Sequence, residues 1–385
     1  MTMDHDHKSI EDPGRDRIDP EEVKRYHHIK ITFSVVSLAM GIGYLFFILF
    51  SGFSQGAAAW AMGVSDRPAP AFLLFVFVLG GIEGVITLPL TFYGGFVVEH
   101  RFGLSAQSFG RWCWEQSKGV LVGFVLLTPL LLLFYAFLRM SPEFWWVPVG
   151  FVYFLFTVLL AEIGPVLIFP LFYKFSPVED GALRQGLIRM SERVGLKITG
   201  IFKFNLSKNT KKANAAFTGL GRTRRVLLAD TLMDAFSTEE IETVIGHELG
   251  HYRYGHLWKG LLAGFALSFG GLFLAHSLYR WTMGGFGGVR GDELSVLPLL
   301  ALFLAGFGLA TAPLQNALSR RFERQADRFA VAETGSAEAF ISSLEKIGRL
   351  NKADPSPHPL VEFFFYSHPP LKKRIEAIRA VGGGV

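Results

Sequence analysis

Residues 120–138 read VLVGFVLLTPLLLLFYAFL, a run without a single charged side chain. An α-helix rises about 1.5 Å per residue, so roughly 20 apolar residues cross the ~30 Å hydrocarbon core of a bilayer. The same pattern recurs at 29–51, 71–97, 119–138, 145–172, 257–280 and 294–317, which predicts six membrane spans. Of the 385 residues, 50% are hydrophobic and 38 are Phe, far more apolar side chain than a soluble domain of this length carries. Buried helices of a large soluble protein are a poor reading, because such helices seldom stay free of charge along their whole length. The first stretch is no signal peptide either, since nearly thirty mostly polar residues precede it without a clear small-residue cleavage site.

Charge gives orientation. The net charge of +5 suggests the cytoplasmic flanks of a membrane protein rather than nucleic acid. Lys8, Arg15, Arg17, Lys24 and Arg25 precede the first span, and the second loop holds Arg101, Arg111 and Lys118. The segments beginning near Lys174 and Arg320 are also basic, whereas the opposite loops hold only Arg67, Arg139 and one Arg within 281–293. Both termini are thus expected in the cytoplasm. The single cysteine, Cys113, rules out an intramolecular disulfide and a thiolate zinc site.

The expected organisation is a polar segment 1–28, a four-span region 29–174, a polar catalytic region 175–256, a two-span hairpin 257–317 and a second catalytic part 318–385. The DHDH cluster at Asp4–His7 is assigned no function. Leu183, Leu187, Ile188 and Val194 recur at helical spacing, and strands are predicted at Ile201–Phe204, Ala213–Thr218 and Arg225–Ala229, separated by SKNTKK and GLGRT turns. Ser237, with Glu240 three residues on, is a capping box opening a helix through IETVIGHELGHY.

On that helix His247 and His251 lie one turn apart on one face, the spacing that lets two imidazoles converge on one Zn²⁺. Glu248 is then held close to the metal without ligating it, suited to take a proton from zinc-activated water and pass it to a leaving amine. His251 lies six residues before the fifth span and Glu323 six after the sixth, so both stand about 9 Å from the same membrane face if helical. Glu323 is therefore the expected third ligand, the fourth position being open as in catalytic zinc sites. Asp327, one turn beyond, is placed to orient a ligand imidazole, although Arg320, Arg321, Arg324 and Arg328 also allow a solvated charged face. His256 falls about 180° round a continued helix, and His358 is a further candidate. His368, before Pro369 and Pro370, suits stabilisation of an oxyanion. The expected fold is mainly α: a polytopic α-helical membrane protein with a zincin-like cytoplasmic catalytic domain containing a small β-sheet.

From about residue 92 to 378 the chain resembles the type I CAAX prenyl endopeptidases, or a-factor-converting enzymes, multi-spanning zinc proteases related to a bacterial heat-shock membrane protease. The resemblance is carried by PLFYKFSPVEDGALR, NAAFTGLG, VLLADTLMDAF, VIGHELGHYRYGH, FERQADRFA and YSHPPLKKRI, in that order. It implies one Zn²⁺ on His247, His251 and Glu323, Glu248 as general base and Asp327 as supporting acid. It further implies that Asn214 bonds the substrate or oxyanion, that the strand of Ala215 and Phe217 holds an extended peptide by β-addition, and that His368 and Arg374 contact the transition state and a carboxylate. A plain turn residue remains the alternative for Asn214. Eukaryotic members form a seven-span barrel around a water-filled chamber, whereas only two spans precede VVEHRFGLS here. Glu83 and Glu162 suit a wet cavity wall, with a kink at Gly164–Pro165 as the alternative for the second.

The function expected is zinc-dependent hydrolysis of peptide bonds at the cytoplasmic membrane face, CAAX prenyl protease-like, on a peptide or protein that is lipidated or membrane-embedded, in contact with membrane lipid and without nucleic acid. Quality control of membrane proteins is the alternative physiology. A transporter or receptor with a structural metal site, and a membrane lipid hydrolase, are the rivals from other classes.

Overall fold

Residues 19–219, 224–285 and 293–382 are described by the structure, a computed structural model. The DHDH cluster, Lys8, Arg15, Arg17, residues 220–223 of the GLGRT turn and 286–292 of the Gly-rich loop lie outside the described residues.

Asp19 accepts the Glu21 N–H and Pro20 takes the first helical position, so α1 (Pro20–Phe50) begins well before its apolar run. The turns ahead of the membrane are tied down: Tyr26 donates to Glu99 at 2.8 Å and Glu22 pairs with Lys352 at 2.6 Å. The apolar α2 (Phe53–Val64) is about 18 Å long, too short to cross the bilayer, and packs on α3 (Pro68–Phe92). A widened turn at Tyr93–Val97 carries α3 into α4 (Val98–Arg101), and α5 (Phe109–Met140) returns. The fourth span is α6 (Trp146–Ile163), continued through a widened turn at Gly164–Ile168 into α7 (Phe169–Phe172). Pro165 cannot donate a backbone bond, which accounts for the distortion there. Glu83 lines a cavity of about 460 Å³ among Tyr44, Phe72 and Phe75, whereas Glu162 lines neither this nor the cavity of about 750 Å³ along α6.

The polar region then builds a four-stranded sheet in the order β1 (Phe175–Pro177), β2 (Gly200–Phe204), β4 (Arg225–Ala229), β3 (Ala215–Thr218). Only the β2–β4 pair is parallel, and β3 is an outer strand. The short β1 was not expected from the sequence. Between β1 and β2, α8 (Ala182–Arg193) buries Leu187 and Met190 against Val226–Ala229 of the sheet. After α9 (Asp230–Ala235), the capping box forms as expected: Ser237 Oγ accepts from Glu240 N and Glu240 Oε2 from Ser237 N, opening α10 (Thr238–Arg253).

The last two spans are α11 (His256–Gly285) and α12 (Leu297–Thr334). Six helices among the described residues are thus long and apolar enough to span a membrane. With 38 residues α12 is about 57 Å long, nearly twice the hydrocarbon thickness, so its charged last turns stand beyond the membrane beside α10. The amphipathic α13 (Ala337–Leu350), the short α14 (Pro359–Phe365) and α15 (Leu371–Gly382) close the fold, α13 and α15 sharing a core of Phe340, Leu344 and Ile378.

Candidate metal centre

Two glycines let the site form. Gly246 and Gly250 face α12 so closely that a Cβ on Gly250 would lie 3.0 Å from the Ala326 Cα, and one on Gly246 3.5 Å from the Ala330 Cα. Small residues one turn apart on both helices bring the backbones together. Carboxylates on α12 can therefore reach imidazoles on α10.

The atoms that meet are His247 Nε2, His251 Nε2 and the Glu323 carboxylate, all within 4.8 Å of one another. The imidazole nitrogens are 3.1 Å apart and each lies 3.3 Å from a Glu323 oxygen. Two nitrogens bound tetrahedrally at about 2.1 Å to one Zn²⁺ lie roughly 3.4 Å apart, so the donor spacing fits such an ion. Glu323 Oε2 is buried without a hydrogen-bond donor, a costly state that a cation would relieve. The residues present fit a zinc ion. Glu248, half-buried, is the next residue on α10 after His247 and is absent from the converging trio.

The imidazoles are held from behind. His247 Nδ1 lies 2.8 Å from Asp327 Oδ1, and Arg374 grips the same carboxylate with two bonds, Nε to Oδ2 at 2.9 Å and Nη2 to Oδ1 at 2.6 Å. Burial alone would lower the His247 pKa, but the adjacent Asp327 and Glu323 carboxylates outweigh it and raise it to about 9. This revises the expectation for Arg374: its fork is engaged on Asp327 and is not free for a substrate carboxylate.

The sequence reading of His256 also needs correction. Gly255, at φ +64°, ends α10, so no continuous helix carries His256 to the far side. Its Nε2 lies 2.9 Å from Gln325 Oε1 and its Nδ1 3.0 Å from His251 Nδ1. With Nε2–H donating to Gln325, the bare Nδ1 accepts from His251 Nδ1–H and leaves His251 Nε2 as a lone pair aimed at the trio. Sequence reasoning missed this relay; the glycine before His256 was the available signal.

His368 Nε2 lies 3.3 Å from Glu323 Oε1, its side chain still largely exposed. The buried Arg320 donates to the carbonyls of Glu362 and Tyr366 and so anchors this loop, a different role from the solvated charge considered for it. His358 is elsewhere, accepting the Leu360 N–H at the start of α14. Asn214 is exposed, and its carbonyl accepts from Ala229 N–H at 3.0 Å. Phe217 of β3 packs edge-on against Tyr252 of α10, ring centroids 4.7 Å apart, and Tyr252 donates to the Gly219 carbonyl. The outer strand is thereby fixed to the helix of the histidines.

Residues 177–381 match the model of peptidase family M48, and residues 6–174 match that described as the CAAX prenyl protease N-terminal region, five membrane helices. This chain has four long apolar helices in the second segment together with the short α2. It is 28% identical to the uncharacterised metalloprotease YhfN of Bacillus subtilis, over 92% of this chain and 84% of that one. It is 31% identical to CAAX prenyl protease 1 of Saccharomyces cerevisiae, over 80% and 71% of the two chains. The crystal structure of S. mikatae Ste24p superposes with a TM-score of 0.84 at 27% identity, covering 94% of this chain and 90% of that one. A transporter or receptor with a purely structural metal site is set aside by these matches: the chain belongs to peptidase family M48 and is a multi-pass membrane metalloprotease of the CAAX prenyl protease type.

Proposed function

We propose that the chain binds one Zn²⁺ through His247, His251 and Glu323 and hydrolyses peptide bonds of extended substrates at the cytoplasmic face of the membrane. The observation that carries this is the convergence of two imidazole nitrogens and a carboxylate, one oxygen of it buried and orphaned, beside an outer β-strand. When bound, the metal supplies a Lewis acid that lowers the pKa of water and polarises a carbonyl.

The protein's residues do the rest. Glu248 takes the proton of the attacking water and delivers it to the leaving amine. Asp327, steadied by Arg374, keeps the His247 proton on Nδ1 so that Nε2 stays available to the metal. His368 donates toward the substrate oxygen as negative charge develops on it. Ala215 and Phe217 offer backbone groups along which a peptide lies as an added strand, with Asn214 at its end. Residues 175–256 and 318–385 then act as two halves of one catalytic unit, joined through the α10–α12 contact.

The cytoplasmic placement, in a bacterial inner membrane, rests on the basic residues flanking the spans on the side of this unit. Substrates are peptides or proteins presented at the membrane, lipidated or membrane-embedded, and the open strand edge favours a peptide over a lipid ester. The test is zinc content and proteolysis of purified protein. About one zinc per chain is expected, lost in His247→Ala and Glu323→Ala, with peptide-library cleavage abolished in both. Undiminished zinc in Glu323→Ala would reassign the third ligand. Peptides trapped by Glu248→Gln, with and without a prenyl group, would define the substrate class.

A further inference from the structure

The outer edge of β3 is closed at one point. Its pairing with β4 continues one residue beyond the strand, through the bond from Ala229 N–H to the Asn214 carbonyl. In an antiparallel ladder, bonded residues alternate with residues whose peptide groups face outward. Asn214, Ala216 and Thr218 thus face β4, while Ala213, Ala215 and Phe217 present N–H and C=O to the outside. No described residue bonds those of Ala215 or Phe217. At Ala213 both are taken by the Asn351 carboxamide: the N–H donates to Oδ1 at 2.9 Å and Nδ2 donates to the carbonyl at 3.2 Å. This is the bonding a paired strand residue would make.

Asn351 is held in place by a strained turn. It caps α13, and Lys352 after it has φ +48°, the single non-glycine residue with positive φ among the described residues. Glycine is the usual occupant of that position after a helix. Lys352 is retained there by its ion pair with Glu22 at 2.6 Å and by lying over the Phe102 ring. Strain kept up by surrounding contacts is the mark of a position whose geometry matters.

We propose that Asn351 is a specificity-determining residue: its carboxamide ends the substrate-pairing edge at Ala213 and so sets how many residues of an extended peptide are bound on that side of the cleaved bond. This rests on β3 being the substrate strand. A peptide laid along it meets outward groups at Phe217 and Ala215, then the carboxamide, and any further residues must leave the sheet.

The experiment uses zinc-loaded full-length protein and two nested peptide sets, lengthened one residue at a time at the amino or the carboxyl end of a fixed cleavage site. On one side, kcat/KM of the wild type should stop rising at a fixed length. In Asn351→Ala that limit should move out by about two residues, the interval between outward-facing groups on a strand, with the longest peptides gaining severalfold and those too short to reach Ala213 changing least. Asn351→Asp, which keeps the acceptor for the Ala213 N–H, should retain the wild-type limit. An unchanged limit in Asn351→Ala, or a parallel loss for all lengths accompanied by loss of zinc, overturns the inference. Wild-type protein that cleaves no peptide sinks the reading of β3 itself and this inference with it.

Discussion

Asp327 meets two residues at once through a single oxygen: its Oδ1 lies 2.8 Å from His247 Nδ1 and 2.6 Å from Arg374 Nη2. One buried carboxylate therefore stands behind the His247 imidazole and neutralises a largely buried guanidinium, whose own pKa burial lowers but the pairing raises. The two roles are separable. Asp327→Ala leaves Arg374 without its partner and should cost about 3–5 kcal/mol of stability. It should also weaken zinc binding roughly 10–100-fold, the usual effect of removing a support behind a ligand. The double variant Asp327→Ala/Arg374→Met removes the uncompensated charge and should recover most of the stability but not the zinc affinity. Thermal unfolding and competitive zinc titration check the two halves; recovery of both would mean that Asp327 does not orient His247.

The relay behind His251 gives a second prediction. His256→Ala removes the acceptor that holds the His251 proton on Nδ1, so His251 is free to protonate the nitrogen facing the trio. Zinc affinity should fall about 10-fold or more. Gln325→Leu, which frees the His256 tautomer while keeping its ring, should fall less. Equal affinity in the wild type and His256→Ala, read by chelator competition, would show the contact to be packing only.

Glu248 is predicted to act on protons and not on the metal. Glu248→Gln should lower kcat by about 10²–10⁴, with zinc content unchanged and KM within a few fold. A proportionate loss of zinc would move Glu248 into the coordination shell.

The membrane part and the convergence of His247, His251 and Glu323 were legible in the sequence for different reasons. The spans are composition: uncharged runs such as 120–138 have one stable environment, whatever they pack against. His247, His251 and Glu248 follow from local periodicity on one capped helix, and Glu323 was reached by counting residues from two span ends. That count assumed an unbroken helix from α10 into α11, and Gly255 breaks it; the site still assembles because α12 packs directly on α10 through Gly246 and Gly250. What stayed hidden depends on contacts across the fold. Asn351 lies 138 residues from Ala213, which it bonds just ahead of β3, and the His256–Gln325 bond joins positions 69 apart. No periodicity marks such pairs. Lys352 at positive φ was hidden for another reason, since lysine gives no turn signal and only tertiary contacts hold it there.

Gly250 offers the sharpest test of how the site is assembled, because two known effects oppose each other there. Replacing a helical glycine with alanine removes backbone entropy from the unfolded chain and is worth about 1 kcal/mol where space allows. Gly119 in α5 has that space, with nothing within 4 Å of where an added methyl would stand, so Gly119→Ala should be neutral or stabilising. At Gly250 the new methyl would lie 3.0 Å from the Ala326 Cα and 3.1 Å from the Phe329 Cβ, against atoms that cannot rotate away. Overpacking of this kind costs about 1–3 kcal/mol, enough to outweigh the helix gain. The strain also has a direction: α12 must move away from α10, and Glu323 and Asp327 move with it. Gly250→Ala should therefore lose zinc affinity as well as stability, although residue 250 itself contributes no ligand atom. A variant that unfolds at lower temperature yet binds zinc as tightly as the wild type would show that the metal trio tolerates a shift between the helices.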